Sequence, residues 1–237
     1  MGVARRFVPI TLDNLDQLPM RCRSCVYWEL DPVGASRIRV AGDARLAKEA
    51  WVSSTLLEWG SCGRLLQLDG EPAGYVLYAP PAYVPRAAAF PTSPASPDSV
   101  LLMAVHVTPA YAGHGLGRQL IQTVAKDLVQ RNVRAIEAFG SHRGDGRPGG
   151  RRTRSIRESE ASPSDGCVLP AGFLLSVGFK TVRPHPRCPR LRLDLRTAIT
   201  WRDDVEAALE RLLGAVQAPV HGALPTPARR AGDPAGS

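Results

Sequence analysis

The segment Val105-His106-Val107-Thr108-Pro109-Ala110-Tyr111-Ala112-Gly113-His114-Gly115-Leu116-Gly117-Arg118 runs from apolar residues through a glycine-rich turn into a helical pattern. The first N–H groups of a helix have no acceptor within it, and glycines without Cβ let a charged group approach the backbone closely. Such a turn binds anions, and a pyrophosphate suits it. Two other phosphate-binding arrangements are excluded. The segment holds no Gly-Lys-Ser or Gly-Lys-Thr, and its Gly-x-Gly-x-Gly spacing is one residue short of the dinucleotide fingerprint.

Further residue types capable of chemistry lie on either side of this turn. Cys22 and Cys25 have the Cys-x-x-Cys spacing of metal ligands or of a redox pair. His185 and Cys188 supply a second His/Cys pair, and four such side chains together would hold zinc tetrahedrally. His106 is the only titratable side chain of the apolar run at 100–107. Glu137 falls in the following run, where strand alternation puts it on the face of Ala135 and Phe139, opposite Ile136 and Ala138.

The elements that must position these residues follow an α/β order. Residues 6–10 predict a strand, and 12–18 could start a helix. Residues 44–59 predict a helix with Leu46, Ala50, Trp51, Leu56 and Leu57 on its inner face. A hairpin follows, 64–68 and 72–78 joined around Asp69-Gly70. Residues 79–97 form a Pro/Ala-rich, extended and partly mobile connection. The almost unbroken apolar run at 100–107 suits a strand buried on both faces. A helix over 118–131, a strand over 133–139, a short helix over 170–177 and strands over 179–182 and 190–195 complete the order. Residues 141–166 form an Arg/Gly-rich insertion, disordered alone. An amphipathic helix at 201–216 packs on the core or pairs with a second copy as a homodimer. We expect one domain over 1–217 and a disordered tail over 218–237.

Composition narrows the partners. The chain has 237 residues, 44% hydrophobic, enough for a core without disulfides or metal. Its formal charge is +8, yet only Lys48, Lys126 and Lys180 are lysines, and the remaining basic residues are arginines. That skew resembles codon bias, so charge alone does not argue for nucleic acid. No stretch nears the roughly 18 apolar residues that span a bilayer. The odd, scattered set of five cysteines is unlike a disulfide framework, and no signal-peptide pattern opens the chain. A reduced cytoplasmic protein without a membrane partner is the expectation.

At the glycine-rich segment the sequence resembles the GNAT (Gcn5-related) N-acetyltransferase superfamily. The family's Val-x-Pro, its Arg/Gln-x-x-Gly-x-Gly/Ala turn, the following helix and strand, and a Gly-Phe after a short helix correspond to Val107–Pro109, 112–117, the helix from Arg118, the strand to Phe139, and Gly178-Phe179. The order of elements matches from Arg6 to about Leu195. The resemblance implies the GNAT fold, a mixed central sheet flanked by helices and splayed at the strand that carries the turn. It implies acetyl-CoA as donor and an amine-bearing acceptor, small molecule or protein, with no metal. The pyrophosphate would lie on the backbone of Ala112, Gly113, His114, Gly115, Leu116 and Gly117 and on the Arg118 side chain. The pantetheine arm would pair with the backbone of Val105 and Val107. A donor there to the thioester oxygen is worth roughly 2.7–4 kcal/mol of barrier. The early region would border the acceptor cleft, making Tyr27, Trp28 and Glu29 acceptor contacts or else a packed Trp and a surface Glu.

Three positions depart from the family pattern. Ala112 stands where the leading Arg or Gln belongs. Leu174 stands where a Tyr would protonate the leaving thiolate, and Cys167 where many relatives have Asn. Cys167 is then either an acid near the CoA sulfur or a small buried residue. An amine acceptor costs about 4.6 kcal/mol to deprotonate at pH 7, from a pKa of about 10.4, so a base is needed. Glu137 is favoured over His106 for it, and the alternative for either is a satisfied strand residue. Two other readings stay open: a non-catalytic acyl-CoA-binding regulator, and a zinc- or thiol-dependent interaction protein built around Cys22 and Cys25.

Overall fold

The computed structural model describes residues 4–142 and 167–195. The predicted helix at 201–216, most of the insertion at 141–166, the tail at 218–237 and the boundary at 217 lie outside the described residues. Unit Met1–Ile199 is compact by itself.

Among the described residues, eight strands make one mixed sheet: β1 Arg5–Pro9, β2 Gly63–Leu68, β3 Glu71–Ala79, β4 Ser99–Val107, β5 Ala135–Ser141, β6 Leu169–Pro170, β7 Lys180–Arg183 and β8 Arg190–Asp194. Their order is β1-β2-β3-β4-β5-β8-β7, with β6 also on β5. Pairing is antiparallel except between β4 and β5 and between β5 and β6. The β2–β3 hairpin forms because Asp69 (φ 49°) and Gly70 (φ 91°) both take positive φ, as the tight turn that matches strand twist requires.

Helices cover both faces. On one, α4 (Leu116–Gln130) buries Leu120, Ile121, Val124 and Leu128, and α5 (Ala171–Ser176) buries Leu174. Each such side chain contributes about 1.5–3 kcal/mol of burial. Asp127 pins α4 to the hairpin, accepting from Arg64 Nη2 at 2.7 Å and from the Tyr78 hydroxyl at 2.8 Å. On the other face lie α1 (Met20–Arg23), α2 (Pro32–Ala41) and α3 (Ala44–Glu58), over a core of Ile10, Leu18, Val52, Leu65, Leu77, Met103 and Phe139. The segment predicted as helix at 12–18 is a 3-10 turn over Leu12–Gln17.

Three further features differ from the sequence expectation. Helix α2 has weak apolar periodicity and buries only Ala35. It is specified by its ends, where Asp31 accepts from the N–H groups of Val33 and Gly34, Pro32 opens the helix, and Gly42 closes it. Helix α3 is rotated from its apolar pattern: Leu46 and Leu57 are exposed, while Lys48, Val52 and Thr55 face inward. The Lys48 ammonium is drawn in by a buried ion pair with Glu29. The connection at 79–97 is folded, with 3-10 turns at Pro81–Tyr83 and Pro85–Ala89 packed on the sheet through Val84 and Ala87.

Candidate functional site

The site begins where the sheet opens. Strands β4 and β5 pair only at Ser99↔Ala135, Val100↔Ile136 and Leu101↔Glu137. Past that point β5 continues beside β8 and takes up β6 from Gly140, while β4 continues beside β3 to Val107. Residues 102–107 therefore present backbone groups to a gap instead of to a neighbouring strand. A bulge at Met103 adds twist on the β3 side, because Leu77 pairs with Ala104 but Tyr78 pairs with Leu102. Burial follows the geometry: Ser99–Met103 are buried, and the last four residues of β4 are half-buried.

At the end of β4 a 3-10 turn, Pro109–Tyr111, leads into the glycine-rich segment. Gly113 (φ 84°) and Gly115 (φ 74°) are left-handed, and a Cβ on either would project into open space. Gly117 has a different task, since a Cβ there would come within 3.3 Å of the Phe173 ring, where α4 meets α5. Gly115 caps α4 without any side-chain hydrogen bond to the first turn. Those N–H groups and the positive end of the helix dipole face a cleft of about 350 Å³. Val107, Tyr111, Ala112, Gly113, Leu116 and Arg118 line it on one side, and Phe173 and Ser176 on the other. Arg118 Nη2 donates to the Ser176 carbonyl at 2.7 Å, bracing α4 against α5. His114 is exposed, its Nδ1 3.4 Å from the Tyr111 carbonyl. An open, positively polarised cradle of this shape fits a pyrophosphate group.

The opposite side of the gap is aromatic and rich in thiols. Trp28 is buried, stacked on Phe90 and Phe139 with ring centroids 5.3 and 6.3 Å away, and its Nε1 donates to the Cys167 carbonyl at 2.8 Å. Glu29 is 4% exposed, accepts from the Trp28 N–H and is ion-paired to Lys48, so its charge is spent inside the protein. Tyr27 is half-buried beneath the Arg86 guanidinium, 4.3 Å from its ring, and burial raises its phenol above the usual range. His106 lies beside Tyr75, ring centroids 5.6 Å apart, and burial, then Arg21, lowers its imidazole below the ordinary value.

Glu137 lies at the last rung joining β4 and β5. It is fully buried, and its carboxylate accepts from Arg190 Nη1 (2.7 Å), Arg192 Nη1 (3.3 Å) and the Ser96 N–H (3.1 Å). A carboxylate so occupied is built as an internal counter-ion, which weighs against its sequence reading as a base. Cys167 Sγ lies 3.5 Å from Cys25 Sγ. With Cys167 as donor, that hydrogen bond is the main cause bringing the Cys25 thiol down to about 6, while the Cys167 thiol is driven upward. Cys22 and Cys25 do not join His185 and Cys188 as a ligand set. No group of three or more His, Cys, Asp or Glu among the described residues is arranged to hold a metal. His185 Nδ1 instead accepts from the N–H groups of Arg187 and Cys188. Sequence reasoning missed Tyr111, Phe173 and Ser176 as cleft residues. For Tyr111 the signal was available, because it falls between the Val-x-Pro and the glycines.

Residues 26–144 match the model of the acetyltransferase (GNAT) family. The chain belongs to that family. No curated protein matches its sequence. Solved structures similar to this GNAT chain include the PaiA N-acetyltransferase of Thermoplasma acidophilum in complex with coenzyme A (9% identity, TM-score 0.48, covering 81% of this chain and 99% of that one). YncA of Salmonella typhimurium, with its cofactor acetyl-CoA, is similar at 14% identity and TM-score 0.48, over 81% and 94%. An acetyltransferase of Thermus thermophilus is similar at 18% identity and TM-score 0.44, over 82% and 99%. The mixed sheet, splayed at the strand that carries the glycine-rich turn, is the architecture expected of the family. No helix among the described residues of this GNAT chain is long and apolar enough to cross a membrane.

Proposed function

We propose that this GNAT chain transfers an acetyl group from acetyl-CoA directly to an amine. The observation that carries the reading is the open cradle of Gly113 and Gly115 at the start of α4, where no side chain bonds the first-turn N–H groups, set beside the splay of β4 from β5. Bound there, acetyl-CoA supplies an activated acyl group as a thioester. The first-turn N–H groups of α4 and the Arg118 side chain hold the pyrophosphate. The gap-side backbone at Val105 and Val107 gives an extended arm strand-like hydrogen bonds and orients the carbonyl.

For the amine's proton, we assign His106 as base in place of Glu137. Its ring is half-buried and lowered toward the neutral form, the state that accepts a proton. No donor to the departing sulfur is assigned from the residues around α5. Leu174 is a core residue, Cys167 shares its proton with Cys25, and Ser176 Oγ donates to the Phe173 carbonyl. Of the acceptor contacts, Tyr27 keeps that role. Trp28 builds the wall behind it, and Glu29 serves the interior.

The test is calorimetric titration of acetyl-CoA into the wild type and Gly115→Trp, with turnover measured on an amine panel. Placing a side chain at φ 74° costs about 1–2 kcal/mol and fills the cradle. We expect at least a tenfold loss of affinity, about 1.4 kcal/mol, with the circular dichroism spectrum retained. Undiminished binding by the variant would remove the cradle from consideration. Tight wild-type binding with no turnover on any amine would favour the acyl-CoA-binding regulator, a reading kept alive by Leu174 and by the occupied Glu137 carboxylate.

A further inference from the structure

The geometry points to Cys25 and Cys167 as a reversible dithiol–disulfide site, oxidised by small-molecule disulfides, in place of the Cys22–Cys25 pair that the Cys-x-x-Cys spacing suggests. The two sulfurs lie 3.5 Å apart although 142 positions separate them in sequence. A disulfide bond is about 2.05 Å long, so closure needs an approach of roughly 1.5 Å, within the reach of side-chain rotation. Both partners are held by the scaffold. The Cys25 N–H closes the turn onto the Cys22 carbonyl at 3.4 Å. The Cys167 carbonyl is fixed by Trp28 Nε1, and its chain runs at once into β6, paired to β5 at Gly140↔Leu169.

The surroundings assign each sulfur its step. Cys25, half-buried and brought down to about 6 chiefly by its hydrogen bond from Cys167, against the opposing effect of burial, is the sulfur favoured as the attacking thiolate. Its sulfur attacks a small disulfide RSSR: the Cys25–SR bond forms, the RS–SR bond breaks, and the departing RS⁻ takes up a proton. The Cys167 thiol, held protonated until then, loses its proton and attacks the Cys25 sulfur. The Cys25–Cys167 bond forms and a second RSH leaves. The protein's two thiols are thereby oxidised while one external disulfide is reduced to two thiols. Cys62 is excluded, being fully buried with its thiol pushed up to about 11.

The experiment treats the full-length reduced protein with excess oxidised glutathione at pH 7 and maps the non-reduced digest by mass spectrometry. The expected product has lost two hydrogens, carries no glutathione, and yields one cross-linked peptide pair containing Cys25 and Cys167. Cys22→Ser should give the same bond. Cys167→Ser should stop at the first step and retain one glutathione on Cys25, and Cys25→Ser should form neither species. In the reduced wild type, iodoacetamide should label Cys25 at least roughly tenfold faster than Cys62, since the thiolate is the reacting form. A Cys22–Cys25 cross-link overturns the proposal, as does a wild type that stays reduced or accumulates a stable glutathione adduct. None of these readouts depends on whether the chain binds acetyl-CoA.

Discussion

Replacing Glu137 by Gln separates a catalytic carboxylate from a structural one. Glu137 is fully buried and lies 2.7 Å from Arg190, whose side chain is only 10% exposed. Arg192 also reaches Glu137, but it keeps two other carboxylates, Asp98 at 3.0 Å and Asp194 at 2.8 Å. The loss therefore falls on Arg190, a buried cation left without its counter-ion. Breaking such a pair from one side costs about 3–5 kcal/mol. The Gln carbonyl still accepts one hydrogen bond, so the low end applies, about 3 kcal/mol, or a fall in Tm of roughly 6–12 °C for a domain of this size. Thermal melts followed by circular dichroism give the shift, and acetyl transfer measured well below both melting points gives the rate. Losing a general base costs roughly 10²–10⁴ in rate, whereas here the rate should stay on the same order as wild type. Removing both charges together, Glu137→Met with Arg190→Met, should recover most of the stability, because buried ion pairs exchange for apolar pairs at little net cost. A Gln variant that melts within about 2 °C of wild type while its rate collapses would refute the structural reading and return Glu137 to the reaction.

Two other expectations follow from the same geometry. Because burial, then Arg21, favours the neutral His106 ring, the acid limb of kcat/KM should lie below the ordinary imidazole value of about 6.5 and should disappear in His106→Gln. The sign for stability runs the same way: the unfolded chain takes up a proton near pH 6.5 that the native ring resists. Wild type should therefore lose stability relative to His106→Gln as pH falls through that value, as Tm measured against pH would report. Gly74→Ala places a Cβ 2.5 Å from the His106 carbonyl oxygen and 3.3 Å from Val107 Cα, both backbone atoms, so β3 and β4 must part at the rim of the cleft. We expect about 1–3 kcal/mol of destabilisation by urea titration, and an unchanged midpoint would contradict the packing described.

What the sequence disclosed depended on how far a residue's determinants lie along the chain. The Asp69-Gly70 turn, the positive-φ glycines at 113 and 115, and the doubly buried start of β4 are set by a few neighbouring residues, and each was legible from composition and spacing. Helix α2 was legible in principle through Asp31, Pro32 and Gly42, but a search for apolar periodicity passes over a helix that buries a single alanine. The inward face of α3 was not legible, because Lys48 is buried by Glu29, which precedes the helix. Nor was the partner of Cys25, which local spacing assigned to Cys22 and which the sheet supplies from Cys167.

Glu137 is the instructive case, because strand alternation placed its side chain on the correct face and still pointed to a base. Its neighbours on that face are Arg190 and Arg192, brought alongside by the antiparallel pairing of β8 with β5. The position explains why a charge is kept there. Leu101↔Glu137 is the last rung before β4 and β5 separate, and a sheet that must open to admit a ligand needs its strands held at the apex. Arg190 and Arg192 tie Glu137 to β8, Arg192 continues to Asp98 just before β4, and the Ser96 N–H completes the link from the same connecting segment. On the proposed reaction this carboxylate holds the cleft without taking part in its chemistry, and we assign proton transfer to the half-buried groups beyond the rung, with His106 foremost.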